Sequence, residues 1–104
     1  MRLVTFLLAI AFAAGCQGDP QKCEQAVRNY ASLIYWKQAD KEIAAAPPDQ
    51  REAMRKDKLA EFQAQLDKGL QTLVSQCTSA NNKDQVNCMI EAKTAEQAKE
   101  CSGH

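Results

Sequence analysis

Residues 19–49 read DPQKCEQAVRNYASLIYWKQADKEIAAAPPD, a stretch without glycine that ends at a proline pair. Asp19 followed by Pro20 is typical of a helix N-cap and first turn. Proline keeps the preceding residue out of the helical conformation, so the pair must end the helix. We therefore predict a helix over about 20–45. One apolar face in its first half consists of six residues at helical spacing: Cys23, Ala26, Val27, Tyr30, Leu33 and Ile34.

Beyond Ile34 this apolar pattern loses its register. Lys37 and Lys41 fall at the projected centre of the face, whereas Ala39 and Ile43 fall to one side. Two interpretations remain open. Either the buried face rotates around the helix, or this end of the helix is less buried.

The rest of the chain also predicts helices. Asp49 with Glu52 resembles a capping box at the start of a second helix over about 50–78. A turn at 79–82 leads into a third helix over about 83–93. Thr94 with Gln97 indicates a new N-cap, and a last short helix reaches Cys101. The second helix carries one apolar face: Leu59, Phe62, Leu66, Leu70, Leu73, Val74 and Cys77. We predict an all-α fold over residues 20–102, a small antiparallel, disulfide-stapled helical bundle of two long helices plus one or two short C-terminal helices.

Four cysteines are placed to staple this bundle: Cys23, Cys77, Cys88 and Cys101. The midpoint between each cysteine and the next falls at a predicted turn. Two residues that are equally far from a hairpin turn lie side by side on the paired helices. All four thiols should therefore gather at one end. Two pairings remain open, Cys23–Cys77 with Cys88–Cys101, or Cys77–Cys88 with Cys23–Cys101. The crossed pairing of Cys23 with Cys88 and Cys77 with Cys101 ranks last because it needs diagonal contacts.

The N-terminal residues predict a signal peptide. Arg2 precedes an apolar run over 3–14, and small residues lead up to Cys16. The run would reach about 18 Å as a helix, too short for a hydrocarbon layer of roughly 30 Å. This arrangement resembles the lipobox of bacterial lipoproteins. The resemblance implies a signal peptide over 1–15, cleavage and lipidation at Cys16, and a tether over 16–20.

An ordinary secretory signal is the alternative, and it would leave Cys16 as a free thiol on an unanchored module. Cysteine parity favours lipidation, because four cysteines remain for disulfides once Cys16 carries lipid. Within the lipoprotein resemblance, Gln17 after the lipid cysteine implies sorting to the outer membrane. We therefore expect a lipid-anchored protein of the bacterial envelope, facing the periplasm or the cell surface.

The C-terminal run from Cys88 through Met89 to Thr94, ending in Cys101, adds a second resemblance. With an early cysteine and a long helical middle, it resembles a group of small uncharacterised bacterial lipoproteins with a four-cysteine, all-helical mature domain. This resemblance implies a disulfide-bonded helical domain on a lipid anchor. It supplies no activity.

Composition and missing motifs argue against several function classes. The chain has 13 Lys and Arg against 13 Asp and Glu, which gives no electrostatic footprint for nucleic acid. Its one histidine is His104, so no general base accompanies a nucleophile. The cysteines lack the close pairs of a zinc site. We expect no enzyme, metal, cofactor or small-molecule substrate.

A non-enzymatic binding or structural role in the envelope remains. The alternative is a pilotin-like chaperone for a secretion-channel subunit, which an exposed groove between the first two helices would mark. Tyr35, Trp36 and Ile43 lie mostly outside the apolar face. They either pack against the C-terminal helices or form an exposed patch for an envelope partner, with Trp36 as the anchor.

Two further hypotheses follow from the predicted register. Tyr30 lies level with Leu70, about one turn or less from Gly69, and we hypothesise that this glycine gives the tyrosine ring room against the helix backbone. Cys16 is close in sequence to Cys23, so the cysteine end should face the membrane. The turn at Pro47 and Pro48 should then face away from it.

Overall fold

The structure is a computed structural model that describes residues 18–103, and every regular element in this range is helical. The two long helices pack against each other as an antiparallel pair, which confirms the predicted all-α fold. Two single 3₁₀ turns occupy Pro48–Gln50 and Cys101–Gly103. The four α-helices are α1 (Pro20–Ala45), α2 (Arg51–Ala80), α3 (Lys83–Glu91) and α4 (Ala95–Glu100).

Helix α1 has the predicted limits. The Asp19 carboxylate accepts hydrogen bonds from the backbone N–H groups of Gln21 (2.9 Å) and Lys22 (3.4 Å). At the other end Ala46 is extended, as expected of a residue before proline. The N-cap predicted at Asp19 and the helix end predicted before the proline pair are therefore both confirmed.

The predicted capping box at the start of α2 is wrong. Asp49 lies inside the 3₁₀ turn, whereas an N-cap needs an extended backbone, and Gln50 takes the cap position without a side-chain bond. Arg51 instead donates to the carbonyls of Ala44 (3.1 Å) and Ala46 (3.0 Å). Arg51 thus ties the start of α2 to the end of α1.

The remaining helix ends are closed by short polar side chains. Asn81 adopts a left-handed conformation (φ 49°), and its N–H bonds the Cys77 carbonyl, so α2 runs two residues beyond the predicted end. Asn82 caps α3 by accepting from the N–H of Gln85 at 3.1 Å. Thr94 caps α4 as the sequence predicts.

The core is concentrated at the end of the bundle that holds Cys23 and the Asn81–Asn82 turn, which we call the base. Here α3 packs on α1, and a cluster forms from Cys23, Ala26 and Val86 with Val74, Cys77, Met89 and Ile90 around it. The chain then runs back towards the base as α4. Near the start of α4, Glu96 forms an ion pair with Lys37 of α1. The opposite end, at Pro47 and Pro48, is the tip, and only two helices extend to it.

Helix α1 changes its buried face along its length. Cys23 and Ala26 are buried near the base, whereas Ala39 and Ile43 are buried towards the tip, at 2% and 3% exposure. Lys37 and Lys41 are exposed. The face therefore rotates around the helix, which is the first of the two interpretations left open by the sequence.

Helix α2 is far less buried than its apolar face predicts. Leu70 is its one buried residue, and Leu59 and Leu73 are each 45% exposed. The short helices α3 and α4 pack mainly on α1, so within residues 18–103 this side of α2 has no third layer over it. Along α2, Phe62 contacts Tyr35 of α1 and Cys77 is bonded to Cys23 of α1 nearer the base. Leu59 and Leu73 therefore lie at the margins of the interface.

The hypothesis that Gly69 makes room for Tyr30 is also wrong. A β-carbon at Gly69 would meet no atom within 4 Å, so no ring lies against this glycine. Within the described residues the position is an ordinary interior helix site in which glycine costs conformational entropy.

Replacing Gly69 with alanine should therefore stabilise the protein. We expect Gly69→Ala to raise the free energy of unfolding by about 0.5–1 kcal/mol, measured by urea denaturation. Ala64→Gly, at an exposed site on the same helix, is the reverse control and should lower stability by a similar amount. A loss of stability in Gly69→Ala would show that the open space is needed.

Candidate functional site

Two disulfides hold the base together. Cys23 pairs with Cys77, with their Cα atoms 5.8 Å apart, and Cys88 pairs with Cys101, with Cα atoms 5.7 Å apart. Of the two pairings left open by the sequence, this is the one that closes each hairpin. The first bridge joins α1 to α2, and the second closes the α3–α4 hairpin.

The segment before α1 belongs to the fold. Gly18 donates its backbone N–H to the Thr78 carbonyl at 3.1 Å. That carbonyl lies in the last turn of α2, where carbonyls have no partner within the helix. The prediction of a tether over 16–20 is therefore too long by at least Gly18 and Asp19. Cys16, the predicted lipidation site, and the predicted signal peptide over 1–15 lie outside the described residues.

A side chain at position 18 would be crowded. A β-carbon there would lie 3.2 Å from the Thr78 carbonyl oxygen and 3.3 Å from the Asn81 side-chain oxygen. A backbone oxygen in a disulfide-linked helix end cannot easily move aside. The sequence gives no sign of this crowding, because glycine is common in tethers for other reasons.

A cleft of about 380 Å³ opens at the base beside Gly18. Its polar lining includes three asparagines and two lysines, and its one carboxylate, that of Asp19, caps α1. Amides both donate and accept hydrogen bonds, and ammonium groups favour anions. The full lining is Gly18, Asp19, Lys22, Cys23, Cys77, Asn81, Asn82, Lys83, Val86 and Asn87.

Nearer the tip, an aromatic cluster joins the two long helices. The ring of Tyr35 packs against Phe62 of α2, with centroids 5.0 Å apart, and meets Trp36 edge-on at 5.4 Å. The Tyr35 hydroxyl donates to the Lys58 carbonyl at 2.8 Å. Phe62 was assigned to the apolar face of the second helix, but the sequence did not link it to the predicted aromatic patch.

This packing corrects the predicted partner-binding patch. Ile43 is buried, at 3% exposure, and is not available to a partner. Tyr35 and Trp36 are half-buried, and the tyrosine hydroxyl is already bonded. Among residues 18–103, the large apolar side chains that are exposed are Leu59 and Leu73 on α2. Sequence periodicity placed both leucines on a buried face, because it cannot tell the centre of an interface from its margin.

Charged pairs tie the tip ends of α1 and α2 together. Lys58 bonds Glu42, and Arg55 lies 3.4 Å from Asp40. The hydrogen bond from Lys58 lowers the pKa of Glu42, and the same bond raises the pKa of Lys58. These groups are largely solvated, so their pairing aligns the helices more than it stabilises them.

Tyr35 should titrate above an ordinary tyrosine. Burial raises its pKa from 10.0, and the nearby Glu61 carboxylate adds to the rise. Because the unfolded chain then ionises first, the fold loses stability as the pH climbs past about 10. Tyr35→Phe should remove part of this alkaline loss, measured by urea unfolding across that range. The difference in tyrosinate absorbance between the two proteins gives the Tyr35 titration, and a midpoint at or below 10 would contradict the prediction.

Two further features of the described range bear on the site. Among residues 18–103, no group of three His, Cys, Asp or Glu side chains is placed to hold a metal ion. No helix within the same range has both the length and the apolar character to cross a membrane.

Comparison with known proteins gives no assignment. No protein-family model, no curated protein and no solved structure matches this chain. Its function is therefore inferred from its own residues and geometry.

Proposed function

We propose that this chain is a lipid-anchored protein of the bacterial envelope that acts as a non-enzymatic binding or structural component. The observation that carries this proposal is Cys16, which directly follows small residues and a short apolar run over 3–14. The two disulfides support it, because such bonds persist in oxidising compartments such as the periplasm. Facing the periplasm or the cell surface, the protein would be held at the outer membrane.

The binding part of the proposal is supported by α2. Leu59 and Leu73 are half-exposed on a small domain whose short helices cover α1 instead. The two leucines lie on nearly the same side of α2, where apolar side chains can serve as anchors for a partner helix. The chain carries no histidine before His104, so the same surface has little acid–base chemistry to offer.

Mass spectrometry of the mature N-terminus tests the anchor. The full chain is expressed in a Gram-negative bacterium and recovered from the membrane fraction. We expect loss of residues 1–15 and acyl groups on Cys16. Cys16→Ser should remain unprocessed, whereas Ser102→Cys, at an exposed position, should leave processing unchanged. An unmodified N-terminus near Ala14 or Gly15 would instead identify a secreted, unanchored module.

The second candidate, a pilotin-like chaperone for a secretion-channel subunit, is favoured by the same two leucines. Leu59 and Leu73 lie fourteen residues apart on nearly the same side of α2, about 21 Å along the helix, which suits a helical segment of a client. Leu59→Glu with Leu73→Glu should prevent the channel subunit from reaching the outer membrane. Ala64→Glu with Gln71→Glu, at exposed sites on α2, is the charge-matched control. Normal delivery with both pairs would exclude this role.

A further inference from the structure

We propose that the base of the bundle rests on the lipid headgroup layer, and that the bond from Gly18 to Thr78 holds the domain there in one orientation. The Asn81–Asn82 turn would face the membrane, and the tip would point away from it. This inference rests on the proposed function, since it requires a lipid on Cys16.

Distance along the chain places the anchor at the base. Cys16 precedes Gly18 by two residues, and two residues of extended chain span at most about 7 Å. Gly18 is itself bonded to Thr78, three residues before the turn at Asn81. Lipid chains inserted at Cys16 therefore bring this turn to the membrane surface.

Gly18 and the residues that follow it are held firmly to the helical domain. The Gly18–Thr78 bond is followed at once by the Asp19 cap and then by the Cys23–Cys77 disulfide. The Gly18–Thr78 bond and the disulfide join the start of α1 to the last turn of α2, and the Asp19 cap holds the first turn of α1 between them. A free five-residue tether would let the domain tumble on its anchor, whereas these contacts fix the chain to the domain from Gly18 onward.

The base offers the chemistry that a headgroup layer accepts. Lys22 and Lys83 are exposed on either side of the cleft, and Asn81 and Asn87 are exposed with them. Ammonium groups attract lipid phosphates and anionic headgroups. The acidic group of the cleft, Asp19, is bound to backbone N–H groups of α1, although Asp84 is exposed in the first turn of α3.

Substitution of Gly18 tests the orientation directly. A β-carbon would lie 3.2 Å from the Thr78 oxygen, so Gly18→Ala should displace the segment by a few tenths of an ångström and weaken the bond. Gly103→Ala is the matched control, because a β-carbon at Gly103 meets nothing within 4 Å. A flexible glycine–serine insert between Gln17 and Gly18 keeps the bond but lengthens the anchor.

The measurement is quenching of a fluorophore by nitroxides attached to lipid headgroups. The acylated protein is placed in vesicles of phosphatidylethanolamine and phosphatidylglycerol, with the dye on an azide-bearing residue at Ser79 for the base or at Asp49 for the tip, both exposed. Helix α1 has 26 residues, which separates the two sites by about 39 Å along the helix. We expect several-fold more quenching at the base than at the tip. Gly18→Ala and the insert should each reduce this ratio towards one, and Gly103→Ala should leave it unchanged.

Each failure has its own signature. Equal quenching at base and tip in the acylated protein, or a ratio unaffected by both Gly18→Ala and the insert, would overturn the orientation. Lack of acyl mass on Cys16 would instead overturn the proposed function. In that case, a chain beginning at Cys16 and coupled through its terminal cysteine to a lipid thioester still gives the quenching ratio.

Discussion

Removing the Cys23–Cys77 disulfide should lower the free energy of unfolding by about 4 kcal/mol. The bridge spans 54 residues, so it removes a large share of the conformational freedom of the unfolded chain. A domain of this length has a total stability of about 4–13 kcal/mol. Cys23→Ala with Cys77→Ala should therefore leave a stability of about 0–9 kcal/mol, measured by circular dichroism during thermal and urea unfolding.

The second disulfide provides the matched comparison. Cys88 and Cys101 are 13 residues apart, so Cys88→Ala with Cys101→Ala should cost less, about 3 kcal/mol. Reduction of the unmodified protein removes both bridges and should melt the fold or greatly lower its midpoint. An unchanged thermal midpoint in reductant would refute the role of the disulfides as staples. A larger loss from the shorter bridge would show that native strain or packing, and not loop length, controls the effect.

Replacing Asn29 with leucine should destabilise the protein by about 1–3 kcal/mol. The Asn29 amide donates to the carbonyls of Met89 (2.7 Å) and Ala92 (2.9 Å), with a longer contact to Ile90 at 3.4 Å. Carbonyls in the last turn of a helix have no partner within it, so this one side chain closes the end of α3 from a distance of sixty residues. Without it, these carbonyls remain next to an apolar side chain that cannot bond them.

Two variants separate this effect from a general change in α1. Gln25→Leu places the same residue at an exposed site on the same helix and should change stability little. Asn29→Asp keeps the shape of the side chain but replaces the amide donor, which faces three carbonyls, with an acceptor. It should lower the free energy of unfolding at least as much as Asn29→Leu does. Faster amide hydrogen exchange in α3 and α4, with α2 unchanged, would locate the loss. Equal stability of Asn29→Leu and Gln25→Leu would contradict the assignment.

Much of the fold could be predicted because local rules and global packing agree. The Asp19 and Thr94 caps and the proline break set helix ends that tertiary contacts do not override. The spacing of the cysteines placed Cys23 level with Cys77, because the hairpin turn lies midway between them. Periodicity then located the apolar faces of both long helices.

The wrong predictions about burial share a cause. Each depends on which helix packs over a given face of another helix. Leu59 and Leu73 have the spacing of core residues, yet α3 and α4 pack on the other long helix. Ile43 falls outside the first apolar face but is buried, because the contact line rotates along α1.

The two most important polar contacts were also beyond sequence reasoning. Asn29 is a polar residue of a type that usually faces solvent, and Gly18 is of a type that is common in flexible tethers. Each acts through a backbone carbonyl about sixty residues further along the chain, on Met89 and Thr78 respectively. No short-range pattern encodes a contact of that separation.

The short helices pack at the base, whereas the tip consists of two helices. The length of the protein can therefore change without any change at the end that carries the proposed anchor. Lys37 of α1 pairs with Glu96 of α4, and nearer the tip the polar contacts of α1 with other elements are made to Arg51, Arg55 and Lys58 of α2. Seven residues added to each arm near the turn would move Pro47 outward by about 10 Å while preserving the facing register. Evolution could therefore tune how far such a protein reaches into its compartment without altering a single contact at the disulfides or at Gly18.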